Sequence, residues 1–209
     1  MNTADRPLWW RVWCLWVAGS MAGFALVAAG FRGVGTVAGG GTSALLGACA
    51  IIVAAGVGAS LPGFLHWLIL RQWFPRAGWW ILASGVGSML GFLLTGLGLA
   101  PADTGSGIVR ERIIPTLAFC GAGATVGTLQ WLVLRNWISR AGWWVLASAA
   151  SWWGAAWVYA LLTRGNDVNI LLGGIASGAF SGAVTASILI WLWRRSTVSQ
   201  ETPGTVRCS

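Results

Sequence analysis

Long apolar blocks alternate along the chain with short breaks that are polar or rich in glycine, and six blocks reach the length of a membrane crossing. A bilayer core about 30 Å thick calls for about 20 apolar residues in a helix. The blocks lie near residues 8–29, 43–70, 77–99, 112–134, 141–163 and 169–193. This spacing predicts an all-α integral membrane protein with six transmembrane helices. They form a single domain over 1–195, followed by a polar tail, 196–209, read as disordered. Pro62 lies inside the long second block and is expected to kink it. The breaks "GFRGVGTVAGGGT" (30–42) and "APADTGSG" (100–107) read as flexible loops.

One segment is written twice. "LRQWFPRAGWWILAS" (70–84) and "LRNWISRAGWWVLAS" (134–148) share eleven of fifteen residues. Each copy is the end of one helix, a tight turn and the start of the next. A more degraded third copy is split between the chain ends. "RPLWW" (6–10) opens the first span, "GSMAGF" (19–24) echoes "GSMLGF" (87–92), and "WLWRR" (191–195) closes the sixth. The repeated unit is therefore a helical hairpin, over 6–71, 76–135 and 140–194. Three hairpins of like orientation are parallel repeats about an axis along the membrane normal. They pack either as a pseudo-threefold ring or as a linear array. Small residues recur as Ala59/Gly63, Gly123/Gly127 and Gly182/Ala186 on even spans, and Gly19/Gly23, Gly87/Gly91 and Ser151/Ala155 on odd spans. In lipid, such pairs let helices approach closely and gain van der Waals contact.

Composition removes several function classes. The chain is 56% hydrophobic and 9% charged, against about 25% charged in soluble domains. All 13 basic residues are arginine, so no lysine is present to form a Schiff base. The net charge of +8 does not imply nucleic acid, because the arginines sit at span ends and in loops. Nine arginines fall on the side of the N-terminus and four on the other. That bias predicts cytoplasmic termini, in a bacterial inner membrane or another energy-transducing membrane. No carboxylate lies within a span, so the residues of a proton pump are missing. Cys14, Cys49, Cys120 and Cys208 show no metal-ligand spacing. "GVGSMLG" (85–91) lies in a span, so its glycines read as packing residues rather than a dinucleotide loop. No nucleophile stands with a base; no catalytic residue and no enzyme activity are expected.

Twelve of the 17 tryptophans, Trp80 and Trp144 among them, lie near the arginine-rich span ends and read as an interfacial belt. Trp16, Trp152, Trp153 and Trp157 are too deep for that belt. The span-5 cluster also breaks the repeat, since Ser88, Met89 and Leu93 occupy the matching places in span 3. These rings either fill space beside span 6, line a pocket for a flat apolar molecule, or meet a partner subunit. His66 and Gln130 place polar side chains one turn inside an arginine. Each reads as an interhelical hydrogen bond or a ligand contact; axial ligation of a pigment or haem is a further reading of His66. The candidate ligand-binding set is Trp16, His66, Gln130, Trp152, Trp153 and Trp157.

The strings "HWLILRQWFPRAGWWILAS" and "QWLVLRNWISRAGWWVLAS" resemble a group of small bacterial membrane proteins built from repeated "QWLVLR…AGWWVLAS" hairpins. The resemblance covers about residues 40–195. It implies a hairpin-repeat membrane fold and carries no activity. The chain departs from it at His66, where glutamine is usual, and in the extra tryptophans of span 5. Two function classes follow from the residues. One is a non-enzymatic membrane protein that binds an apolar ligand (a lipid, carotenoid, chlorophyll-type pigment or quinone) or serves as an accessory subunit of a membrane complex. The other is a channel or transporter for a small neutral solute. Expected partners are membrane lipids, and other membrane subunits or further copies of the chain.

Overall fold

A computed structural model describes residues 9–38, 44–74, 77–99, 113–138, 140–163 and 169–198. They form six helices: α1 (Trp9–Ala38), α2 (Ala44–Leu70), α3 (Trp79–Leu99), α4 (Ile114–Leu134), α5 (Trp143–Leu162) and α6 (Asn169–Val198). Among the described residues there is no strand. Helices α1, α2, α4, α5 and α6 are long and apolar enough to cross a membrane, and α3 carries a shorter apolar stretch, Trp79–Leu94. Each helix packs on its two neighbours in the chain, and α1 packs on α6, so the ring is closed. A linear array of hairpins is excluded.

Two expected breaks differ. The glycine-rich run after residue 30 continues α1 as helix to Ala38, and α6 runs on to Val198. In both places the backbone continues a helix already begun, and propagation adds one hydrogen bond per residue. Residues 39–43, the "APADTGSG" segment and the tail from 199 lie outside the described residues. Pro62 lies within α2, which stays one helix; its ring lies over Gly23 of α1.

The duplicated segment builds the same turn twice. Trp73 and Phe74 donate backbone hydrogen bonds to the Leu70 carbonyl, and Trp137 and Ile138 donate likewise to Leu134. Trp80 N–H then closes on Ala77, and Trp144 N–H on Ala141. The same positions are buried in both copies: Leu70, Phe74, Ala77 and Trp80, then Leu134, Ile138, Ala141 and Trp144. With Val12, Trp16, Leu189 and Leu192 from the chain ends they form one apolar core at the arginine-bearing end. Arg140 takes a left-handed φ of 62°, which costs a residue with a Cβ more than it costs glycine.

Small residues set the contacts between neighbouring helices. A Cβ on Gly63 would meet Ser84, one on Gly127 would meet Ser148, and one on Gly182 would meet Ser20. Gly182, not Ala186, is therefore the counterpart of Gly63 and Gly127. On α1 and α3 the same comparison pairs Gly23 with Gly87, because Gly23 faces Pro62 and Gly87 faces Val126. The matching strings "GSMAGF" and "GSMLGF" are thus out of register by one turn. Packing is decided by the face each residue turns to its neighbour, and local likeness of strings does not report it.

Gly178 generates a stability prediction. A Cβ there would sit 2.5 Å from the Ser20 carbonyl oxygen and 2.6 Å from Met21 Cα, both backbone. Gly178→Ala is expected to lower stability in detergent by about 1–3 kcal/mol, since α6 must move off α1. A Cβ on Gly30 would meet nothing within 4 Å, so Gly30→Ala should be neutral or raise stability by about 0.5–1 kcal/mol through helix propensity. Unfolding curves of the two variants read the contrast; equal midpoints would show that the α1–α6 approach is not this close.

Candidate functional site: a cavity on the ring axis

The odd helices send three layers of side chains to the axis, one helical turn apart. Trp16, Trp80 and Trp144 form the first, Ser20, Ser84 and Ser148 the second, and Phe24, Ser88 and Trp152 the third. Within each layer the residues recur at intervals of 64. Successive turns are about 5.4 Å apart, so the three layers span about 11 Å along the axis. Between them lies a cavity of about 60 Å³.

The floor is an aromatic triangle. The ring centroids of Trp16, Trp80 and Trp144 are 5.8, 6.1 and 5.5 Å apart, in edge-on or tilted contact. All three are at most 1% exposed. This geometry suits the indole quadrupole, with a positive edge meeting a negative face. The roof is a second aromatic group. Trp152 lies 5.7 Å from Phe24 and 6.2 Å from both Phe92 and Phe119.

Polar side chains fill the middle layer, mostly paired across helices. Gln130 donates from Nε2 to Ser84 Oγ (3.0 Å) and accepts at Oε1 from Trp144 Nε1 (2.9 Å). Trp16 Nε1 donates to Thr185 Oγ1 (3.1 Å). His66 lies flat on Trp16, with centroids 3.8 Å apart and planes 4° apart. Its Nε2 is 3.2 Å from the Trp16 carbonyl and 3.2 Å from Ser20 Oγ. Nε2 donates to the carbonyl in one imidazole tautomer and accepts from the Ser20 hydroxyl in the other. Ser148 Oγ donates to the Gly123 carbonyl on α4 (2.8 Å). In an apolar surround an unpaired polar group is costly, which explains why these hydroxyls turn to partners.

Two cavity-lining groups break the pattern. Among the described residues, Trp80 Nε1 and Ser88 Oγ are buried with no hydrogen-bond partner. No Asp, Glu, Lys or Arg lies among the described residues lining the cavity. Nor, among the described residues, does any group of three His, Cys, Asp or Glu stand close enough to hold a metal.

Four of the six residues singled out from sequence meet here: Trp16, His66, Gln130 and Trp152. Trp153 and Trp157 do not. Trp153 is 47% exposed on the outer surface of α5, and Trp157 lies beside it at 6.4 Å. Adjacent residues on a helix point about 100° apart, so Trp152 turns to the axis and Trp153 away from it. Trp80 and Trp144 are core residues, unlike the belt expected from their position near the arginines. Trp10, Trp79 and Trp143, at 61%, 64% and 55% exposure, keep that outer setting. The interval of 64 was the signal for the axial indoles. The "WW" doublets hide it, because they match Trp10 to Trp80 and leave Trp16 without a counterpart.

The cavity is far smaller than the roughly 300–1,000 Å³ of sites for drug-sized molecules. A second concavity is larger, about 840 Å³, and opens on the outer flank of α3 and α4 between Trp79, Val86, Leu132 and Trp137.

No protein family, curated protein or solved structure matches the chain.

Proposed function

We propose that the protein is a non-enzymatic channel or transporter for a small neutral solute, with its path along the ring axis. The observation that carries this reading is the axial cavity at membrane depth, lined from all six helices, with serine, threonine, histidine and glutamine side chains among its lining and aromatic groups towards both ends. A bundle that only needed to pack would favour apolar contact at its centre, since buried polar groups stabilise little and cost much when unpaired. The volume supports a solute of a few heavy atoms over a lipid, pigment or quinone. The lack of charged lining among the described residues supports a neutral one, because an ion stripped of water there has nothing to balance it. The indole triangle is the shut gate in this conformation. The three hairpins act as one repeated unit about the axis, each supplying a Trp–Ser pair.

A second reading rests on the α3–α4 groove. Its size suits an apolar ligand, and Trp79 and Trp137 stand at its rim, 64% and 44% exposed. It places such a ligand outside the ring, in contact with lipid.

The gate generates a flux prediction. Trp80→Ala removes the one indole of the triangle whose N–H has no partner among the described residues. In proteoliposomes it is expected to raise permeability to water and urea severalfold over wild type, measured by stopped-flow light scattering, with ion leak unchanged. Size-exclusion profiles check that the variant stays folded, because loss of a buried tryptophan costs about 3–5 kcal/mol. Permeability equal to that of empty vesicles in both folded proteins would end the axial reading.

For orientation we propose that the arginine-bearing end is cytoplasmic, following the nine-to-four arginine count. Asn136 and Ile113, both exposed, lie at opposite ends of α4. In a cysteine-free background, Ile113→Cys is expected to react with an impermeant maleimide added to intact cells. Asn136→Cys should react only after lysis. The reverse pattern inverts the topology.

A further inference from the structure

Two arginines at the duplicated turns are placed alike. Arg71 follows the last residue of α2, and Arg135 follows the last residue of α4. Each donates its backbone N–H to the carbonyl of the tryptophan four residues back, Trp67 or Trp131, at 2.8 Å. The helical path thus reaches the arginine, and residues at i and i+4 share a face. A helical side chain leans over the turn before its own Cα. Each guanidinium accordingly lies over an indole, Arg71 at 5.2 Å from the Trp67 ring centre and Arg135 at 5.6 Å from that of Trp131. Both arginines are exposed, and no aspartate or glutamate lies among the described residues to neutralise them. An exposed carboxamide follows each in the chain, Gln72 and Asn136.

Both pairs stand at the same height of the bundle. Trp67 and Trp131 come four residues after Gly63 and Gly127, the glycines that pack on Ser84 and Ser148. Helix α6 carries the same two residue types, with Arg195 at 4.4 Å from the Trp191 ring centre. Trp191, however, comes nine residues after Gly182. At 1.5 Å per residue that pair stands about 7.5 Å further out.

Indole rings at helix ends settle at the level of the lipid headgroups. An arginine drawn back onto such a ring is held at the depth of the phosphates. Attraction to the ring restrains the side chain beforehand, so less freedom is lost when its planar N–H fork meets a phosphate. We infer that Arg71 with Trp67, and Arg135 with Trp131, form two binding sites for anionic phospholipids. The guanidinium holds the headgroup phosphate, and the acyl chains lie along exposed apolar residues, Leu61 and Phe64 on α2 and Leu117 and Leu132 on α4. A zwitterionic headgroup carries its own cation beside the phosphate and gains less from a second one. The inference needs only that the helices cross a bilayer and is independent of an axial path.

Native mass spectrometry in mild detergent, with phosphatidylglycerol and phosphatidylcholine added in equal amounts, reads the sites. Wild type is expected to retain two phosphatidylglycerol molecules per chain under collision conditions that strip phosphatidylcholine. Arg71→Gln and Arg135→Gln should each lose one, and the double variant should retain the two lipids equally. Arg195→Gln removes the same charge and is expected to keep both molecules. Glycerol phosphate, the same headgroup without chains, should not displace the lipid. Size-exclusion profiles check folding. Should a glutamine variant fail to fold, the lysine variant keeps the charge, loses the bidentate fork and is expected to weaken retention severalfold. Equal retention of the two lipids by wild type overturns the sites. So does an equal loss from all three glutamine substitutions, which would report surface charge alone, or displacement by glycerol phosphate, which would report a site for a soluble anion.

Discussion

Three indoles meeting edge to face on one axis set the rest of this structure. Each comes from a different helix, α1, α3 and α5. Such pairs contribute about 0.5–1.5 kcal/mol each beyond the area they bury. Their larger effect is geometric. A tryptophan is long, and holding three of them on the axis fixes the helices at a distance that leaves space one turn deeper, where the odd helices project serines. The cavity is the direct result of following a Trp layer with a Ser layer.

The same distance would fail without glycine. Helices in lipid gain little from hydrophobic burial against each other and depend on close van der Waals contact. Gly63, Gly127 and Gly182 bring each even helix onto a serine of the next odd helix. That approach carries His66, Gln130 and Thr185, one turn on, to the edge of the indole triangle. Packing and polar network are one construction: the glycine sets the approach, and the residue three positions later meets the indole. Where that residue is Gln130 the layer is fully bonded; where it is His66 an N–H is left over.

The axial cavity has hydroxyl, imidazole and carboxamide groups but no charged group among its described lining, and that is what supports a neutral molecule in the proposed reading. Between it and the arginine-bearing end lie the indole triangle and the apolar core packed around it. Hydrogen bonding by Gln130 and Thr185 restrains Trp144 and Trp16. The Trp80 N–H carries no such restraint among the described residues.

Helix class, helix number and the hairpin turns were legible in the sequence, because bilayer thickness and backbone hydrogen bonding tie a run of apolar residues to a helix of given length. Trp16, His66, Gln130 and Trp152 were legible as unusual for the same reason: a polar or very large side chain at that depth has a cost. Burial direction was not legible. Trp152 and Trp153 are neighbours of one type, yet one caps the cavity and the other faces outward. In a helix apolar on every side no periodicity marks the inner face. Closure of the ring, the true register of Gly182 and Trp16, and the role of Ser84 and Ser148 came only with the tertiary structure. Those depend on which face each helix turns to its neighbour, and that choice is made by glycine contacts between segments distant in the chain.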